Sequence, residues 1–193
     1  VPVFVDSPLS VNATDIYKKH PECLKDTIYD TLCNNENPFG MANLTYISDV
    51  EESKKLNDRH EPMIIISASG MCEGGRIRHH LKNNIGDARN LVLFIGYCAE
   101  GTLGNQIVAG KTPVNIFGDP YNVRAKIASL DTYSGHADKN ELKNYVQKLS
   151  GDIKKIFCIH GEETQVLAHV ETLRGMKPKA EVFAPKYQQV VEI

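Results

Sequence analysis

Two histidines lie in glycine-flanked turns that follow apolar runs and precede helix-like segments. His136 is in YSGHAD, and His160 is in IHGEE. A neutral imidazole binds metal ions, and a charged one stabilises phosphate oxygens or protonates a leaving group. Because both histidines follow strand endings and precede helices, we expect both side chains to emerge at one edge of the sheet, the carboxyl edge where ligands gather. We therefore take this pair as the candidate site, with a structural role for each histidine as the alternative.

Two further turns are suited to phosphate or base contacts. In SASGMCEGGR, residues 67–76, Ser67 and Ser69 accompany bare glycine backbone at the start of a helix. Such backbone N–H groups attract phosphate, and Arg76 is able to hold one through two parallel hydrogen bonds. The turn GYCAEGTLG, residues 96–104, offers an aromatic ring for stacking on a base. A permissive connection between strand and helix is the alternative for both turns.

Apolar, strand-like runs alternate with amphipathic, helix-like segments along the chain. The predicted strands are VPVFV (1–5), LTYIS (44–48), PMIIIS (62–67), NLVLFIG (90–96), KKIFCIH (154–160) and AEVFAP (180–185), with two antiparallel strands joined by a Gly-Asp-Pro turn over 113–130. This alternation predicts an α/β fold whose mainly parallel sheet is covered by helices on both faces. Asp138 and Glu141 predict a capping box at the start of the helix after His136.

The composition excludes several classes of protein. The 193 residues carry 41% hydrophobic and 24% charged residues and a net charge of −2, which gives no basic footprint for nucleic acid, so any polyanion must be bound locally. Five cysteines without CxxC spacing argue against a disulfide framework or zinc ribbon and predict a reducing, cytoplasmic setting. No apolar run approaches the roughly 20 residues that span a bilayer, so no membrane partner is expected.

The remaining polar residues receive simpler interpretations. Five other histidines are interpreted as parts of solvent-exposed surfaces: His20, His60, His79, His80 and His169. Asp6 ends the first strand, and we expect it to cap the turn that follows. Neither HExxH nor HxHxDH occurs. Because a catalytic zinc normally takes three protein ligands and water, the sequence contains no evident complete zinc site.

Taken in order, five stretches resemble one family. They are VPVFVDSPLS, SASGMCEGGRIRHHL, GYCAEGTLG, YSGHAD and IHGEE. Together they resemble the β-CASP branch of the metallo-β-lactamase superfamily. That branch comprises nucleic-acid hydrolases, among them the cleavage subunit of the mRNA 3′-end processing machinery and its bacterial and archaeal relatives.

The resemblance implies two domains and a set of roles. Residues 1–130 would be a β-CASP domain lacking its start, and residues 131–193 the closing segment of an αββα metallo-β-lactamase domain. His136 would be the catalytic histidine facing the scissile phosphate, with Ser134 and Gly135 holding a neighbouring phosphate oxygen. Ser67, Ser69 and Arg76 would bind substrate phosphate along the path of the strand.

The resemblance also implies zinc and RNA. His160 would ligate one of two zinc ions, and a histidine at this position resembles the RNA-acting members of the family. The family's other metal motifs are absent here, so we expect an N-terminal metallo-β-lactamase half as a missing partner. The chain alone should then be inactive and should not fully bind zinc. A homodimer is a further possible assembly.

Two other classes of function stay open. One is a non-catalytic β-CASP-type subunit that binds RNA or a protein partner. The other is a self-standing α/β module that binds a nucleotide through SASGMCEGGR. Intact metal motifs upstream would favour the enzyme, and nucleotide titration of the chain would test the module.

Overall fold

The computed structural model describes residues 1–34 and 36–192. The described residues form two compact units, one covering Val1–Asp131 and the other from Thr132 onward. Each unit has its own sheet structure and its own hydrophobic core. None of the helices within these residues is long and apolar enough to cross a membrane.

The first unit contains two parallel sheets and a hairpin. Its strands are β1 (Val3–Val5), β2 (Leu44–Tyr46), β3 (Ile64–Ile66), β4 (Leu91–Ile95), β5 (Val114–Ile116), β6 (Asp119–Tyr121) and β7 (Lys126–Leu130). Strand β1 lies between β2 and β3 and is parallel to both. Strand β4 pairs in parallel with β7, whereas β5 and β6 form an antiparallel hairpin. The predicted α/β class with parallel pairing is confirmed.

Five helices connect these strands. They are α1 (Pro8–Lys19), α2 (Asp26–Cys33), α3 (Val50–Leu56), α4 (Ile77–Asn84) and α5 (Leu103–Val108), and a short 3-10 turn covers Pro21–Cys23. Ser7, Asp49 and Thr102 cap α1, α3 and α5, because each side chain accepts a hydrogen bond from a backbone N–H in the first turn. These caps fix where each helix leaves the loop after its strand.

The hydrophobic core of the first unit has two parts. The larger one is centred on Ile85, Ile107, Val114 and Ile116, and the smaller one joins Phe4 to Ile47 and Leu56. The prediction that the parallel strands are covered on both faces is wrong for β4. Phe94 is buried, but its neighbours on the opposite face are about half exposed: Leu91, Leu93 and Ile95. The continuous apolar run therefore buries one face of the strand.

The hairpin also differs from its prediction in detail. Asp119 and Pro120 belong to β6, so the turn consists of Phe117 and Gly118, both with positive φ. The segment after β6 continues into β7, which pairs with β4 and is not part of the hairpin. The sequence pattern therefore contains three strands in place of the expected two.

The second unit is a small βα layer. It comprises α6 (Lys139–Lys148), β8 (Lys155–Phe157), α7 (Glu163–Met176) and β9 (Glu181–Phe183), with β8 parallel to β9. Val146, Val170, Leu173 and Val182 form its core. The Asp138 carboxylate accepts hydrogen bonds from the amides of Asn140 and Glu141, and Glu141 reciprocates, so the predicted capping box is confirmed.

Candidate functional site

A buried polar cluster fixes the loop that carries SASGMCEGGR. Its centre is Asp6 at the end of β1, whose carboxylate is fully buried. Oδ1 accepts a hydrogen bond from Arg76 Nη1 at 2.6 Å, while Oδ2 accepts from Ser53 Oγ and His80 Nε2, each at 2.6 Å. Asp6 follows β1, Ser53 is in α3, Arg76 is at the start of α4, and His80 is in the middle of α4. The cluster therefore joins three elements around one carboxylate.

Both terminal nitrogens of Arg76 are bonded within the protein. Besides Asp6, its guanidinium donates to the carbonyls of Ile47 at 3.2 Å and Ser48 at 2.6 Å. Its side chain is 14% exposed. The phosphate-binding role expected of Arg76 stays a prediction, and the structure gives this guanidinium a set of internal acceptors that holds the loop after β2 against α4.

Two simpler interpretations are wrong at this cluster. Asp6 does not cap the following helix, since Ser7 Oγ accepts the hydrogen bond from Ser10 N at 3.3 Å. His80 is not on a solvated surface, because its side chain is 6% exposed and bonded to Asp6. A sequence signal for His80 existed. It lies three residues after Ile77 and beside Leu81, on the side of α4 that faces the core.

The electrostatics of Asp6 follow from its partners. Burial alone raises the pKa of this carboxyl, because it disfavours the charged form. The hydrogen bonds from Ser53, His80 and Arg76 outweigh that effect, and the pKa of Asp6 lies below its ordinary value. Asp6 is therefore charged at neutral pH, and the charge is compensated by Arg76.

The serines of the turn have local partners as well. Ser67 Oγ donates to the Asp6 carbonyl at 2.9 Å, and Ser69 Oγ donates to the Gly74 carbonyl at 3.4 Å. Gly75 has φ +78°, and a Cβ atom there would lie 2.3 Å from the Ala68 carbonyl oxygen. Glycine is thus required at position 75 by both backbone conformation and space.

The turn is also tied to the one after β4. Glu73 Oε1 accepts a hydrogen bond from the Leu103 amide at 2.6 Å. Gly104 packs so closely that a Cβ there would lie 3.0 Å from the Gly70 carbonyl oxygen. Cys72, within the first of these turns, belongs to the buried hydrophobic core, and burial is the main cause that raises the pKa of its thiol to about 12. The two glycine-rich turns therefore pack directly against each other.

A cavity of about 710 Å³ lies beside the buried cluster in the first unit. Its lining includes Ser53, Lys54, Ser69, Arg76, His79 and Asn83. This volume is within the range of small-ligand sites in proteins, and the walls are mainly apolar with a few polar side chains. Of the predicted phosphate-binding residues, Ser69 and Arg76 thus lie at one cavity, and Ser67 is bonded to Asp6 next to it.

The two histidines of the candidate site lie in exposed turns of the second unit. His136 donates its backbone N–H to Ser134 Oγ at 3.2 Å. His160 has φ 66° and precedes Gly161 at φ 138°, where a Cβ would meet Val166 Cγ2 at 3.1 Å. Both histidines and Ser134 and Gly135 are accessible to solvent.

The two histidines do not follow strands of one sheet, so the prediction that they emerge at one sheet edge is wrong. The strand before His136 is β7, which pairs with β4 in the first unit. The strand before His160 is β8, which pairs with β9 in the second. Two different sheets therefore precede them, and their roles rest on the family resemblance rather than on a shared edge.

The described residues do not supply a complete metal site. Within residues 1–34 and 36–192, no group of three or more histidine, cysteine, aspartate or glutamate side chains is arranged to hold an ion. A protein zinc site needs three or four such ligands. The accessible imidazole of His160 could supply only one of these ligands.

Comparison with known proteins identifies the family. Residues 1–107 match the Beta-Casp domain, and residues 120–185 match the Zn-dependent metallo-hydrolase RNA specificity domain. The chain, an α/β fold with parallel strands and glycine-rich turns at their ends, thus carries two domains typical of metallo-hydrolases that act on nucleic acid. It belongs to the β-CASP family of the metallo-β-lactamase superfamily.

Three relatives illustrate the breadth of the similarity. The chain is 35% identical over 178 residues to ribonuclease TTHA0252 of Thermus thermophilus, covering 91% of this chain and 40% of the relative. Transcription termination factor FttA of Methanocaldococcus jannaschii is 29% identical over 200 residues, with coverages of 100% and 31%. An RNase J-like protein of the same archaeon is 34% identical over 173 residues, with coverages of 90% and 38%. The chain therefore spans two fifths or less of these relatives.

Proposed function

We propose that this chain is part of a zinc-dependent RNA phosphodiester hydrolase that acts in RNA processing or decay. The observation that carries the proposal is the succession of a Beta-Casp domain and a Zn-dependent metallo-hydrolase RNA specificity domain in one chain. Relatives named as a ribonuclease and as an RNase J-like protein support RNA as the substrate. In this proposal, residues 1–130 act as the β-CASP domain and residues 131–193 close the metallo-β-lactamase domain.

His136 is the proposed catalytic residue. Its imidazole would neutralise charge on the scissile phosphate or protonate the departing oxygen, and Ser134 with the Gly135 amide would hold a neighbouring phosphate oxygen. The turn supports this role, because His136 is exposed beside a glycine and precedes a firmly capped helix. A capped helix gives the backbone of the turn a fixed end two residues after His136.

His160 is the proposed zinc ligand. Its left-handed backbone is uncommon for a residue other than glycine, and such conformations are concentrated at functional sites. The zinc would supply Lewis-acid chemistry at the phosphate, and the other ligands must come from a segment outside the described residues. We therefore expect the 193-residue chain alone to bind zinc weakly and to leave RNA uncut.

Two assays test this proposal. The complete protein, including its metallo-β-lactamase segment, is incubated with end-labelled RNA, and its His136→Ala variant should cleave at least 100-fold more slowly, given the usual value of acid–base catalysis. Isothermal titration of the chain alone with zinc should show no stoichiometric submicromolar site. Unimpaired cleavage by the variant would contradict the proposed role. A complete protein that binds RNA without cutting it would favour the non-catalytic subunit.

A further inference from the structure

A partly exposed cluster of one phenylalanine, one arginine and one histidine lies on the first unit. Phe117 is in the β5–β6 turn, and its ring is contacted by the Arg78 guanidinium, 4.2 Å from the ring centroid. The His79 ring lies 4.7 Å from the same centroid, with 38° between the planes. Phe117 is 44% exposed, and His79 is exposed as well. We call Arg78, His79 and Phe117 the aromatic–cation cluster.

The backbone at Phe117 is unusual for such a side chain. Its φ is +56°, in the left-handed region where a bulky residue is a clear outlier. The following Gly118 also has a positive φ, so the turn type favours small residues at both positions. The ring is thus held at the surface at a cost in backbone energy, although the core does not enclose it. Strain of this kind is concentrated where a side chain serves binding.

The arginines at the start of α4 have different surroundings. Arg76 is bonded to a buried carboxylate and two carbonyls. Arg78 has one long hydrogen bond, from Nη1 to the Glu73 carbonyl at 3.4 Å, and its buried Nε has no partner in the described part of the chain. Its two terminal nitrogens therefore keep donors available, whereas Nε is enclosed by the protein.

The charge around the cluster is locally positive. Helix α4 reads IRHHLKNN and contains Arg78 and Lys82 four residues apart but no carboxylate. Lys82 is exposed on the same side of the helix as Arg78. The hairpin contributes one carboxylate, Asp119. Helix α4 and the hairpin together therefore carry two cationic side chains and one carboxylate.

His79 connects the cluster to the 710 Å³ cavity, because it also lines that cavity together with Lys54 and Ser69. A stacking surface next to a mainly apolar cavity that Lys54 also lines is suited to an unpaired nucleotide of a single strand. Unpaired bases stack on aromatic rings and on arginine, and the backbone phosphates need cations nearby.

We propose that Phe117, Arg78 and His79 form a contact for one unpaired nucleotide of RNA beside this cavity. The base stacks on the exposed part of the cluster, and an adjoining phosphate is bound by Arg78. The inference rests on the proposed function for its choice of RNA. It goes beyond that function because it assigns a binding contact to residues outside the glycine-rich turns and the histidines of the candidate site.

The test is RNA binding by the 193-residue chain, measured as fluorescence anisotropy of a labelled ten-nucleotide RNA without secondary structure. Phe117→Gly removes the ring and relieves the positive φ, so the hairpin should stay folded. We expect this variant to bind about 5- to 150-fold more weakly, which is the value of one base stack. Binding to double-stranded RNA of equal length should be weaker than to the single strand.

Arg78→Gln provides a second, independent readout. A plot of log K against log salt should lose about 0.7 from its slope, which is the contribution of one phosphate contact to a single strand. Arg89→Gln and Tyr187→Ala are the matched controls. They remove an arginine that is 89% exposed and a tyrosine that is 94% exposed, and both should bind as the unchanged chain does.

Three results would overturn the inference. The first is that the unchanged chain shows no measurable binding to the single-stranded RNA. The second is that both cluster variants keep the affinity and the salt slope of the unchanged chain. The third is that the control variants lose as much affinity as the cluster variants. The proposed function fails separately, because it depends on cleavage and zinc in the complete protein. If the protein binds RNA through the cluster but does not cut it, this inference is supported and the proposed function is contradicted.

Discussion

Replacing Asp6 with asparagine should strongly destabilise the first unit. The carboxylate accepts three hydrogen bonds of 2.6 Å, from Ser53, Arg76 and His80. An asparagine has one acceptor oxygen, and its NH₂ group would face a donor. Arg76 would also lose its buried counter-charge. Breaking a buried pair in this way typically costs about 3–5 kcal/mol.

The effect should be visible in urea unfolding at pH 7, followed by far-UV circular dichroism. With a slope of about 2 kcal/mol/M, the loss corresponds to a midpoint lower by roughly 1.5–2.5 M. Hydrogen exchange should show reduced protection in α3 and α4 and unchanged protection in α7, which belongs to the other unit. Asp87→Asn is the control, since this carboxylate pairs with Arg89 at the surface, and its midpoint should move by no more than about 0.5 M.

The pH dependence of the same variant gives an independent check. The pKa of Asp6 is lowered in the folded protein, so its contribution to stability is complete above the unfolded pKa of about 3.9 and is lost as pH falls below it. The difference between the two proteins should therefore shrink on acidification below about pH 4. A midpoint unchanged at pH 7, or equal loss of protection in both units, would refute the reasoning.

Two further predictions concern the glycine-rich turn. Gly75→Ala should lower the free energy of unfolding by at least about 1–2 kcal/mol, because φ is +78° and the new Cβ meets the Ala68 carbonyl oxygen. Gly74→Ala is the control, since nothing lies within 4 Å of a Cβ at that position. Equal unfolding midpoints for the two variants would contradict the geometry. Cys72 should resist alkylation by iodoacetamide at pH 8 while the exposed Cys33 reacts, since burial raises the pKa of Cys72 to about 12. Mass spectrometry of peptides shows whether Cys72 is modified in the native chain.

Local features of the structure could be predicted from the sequence. The capping box of Asp138 and Glu141 spans three residues, and its geometry follows from the residue types alone. The alternation of apolar runs and amphipathic segments likewise predicted parallel strands, because a parallel pair needs a long crossover between its strands.

Long-range partners could not be predicted in this way. Asp6 contacts Arg76 and His80, which are 70 and 74 residues away in sequence, and no local pattern shows that a carboxylate at a strand end is paired with them. The same applies to Phe117, whose contact with His79 depends on how the hairpin packs on α4. The apolar run of β4 predicted two buried faces, but only one face is buried. The prediction failed because the composition of a strand does not show what packs on each of its faces.

The central claim is that His160 holds zinc and His136 acts on the phosphate. Its most direct test is metal analysis by mass spectrometry, together with RNA cleavage, on the complete protein and its His160→Ala and His136→Ala variants. We expect His160→Ala to lose both zinc and cleavage, whereas His136→Ala keeps its zinc and loses cleavage. Equal zinc content in the two variants, whether both retain it or both lose it, would contradict the assignment.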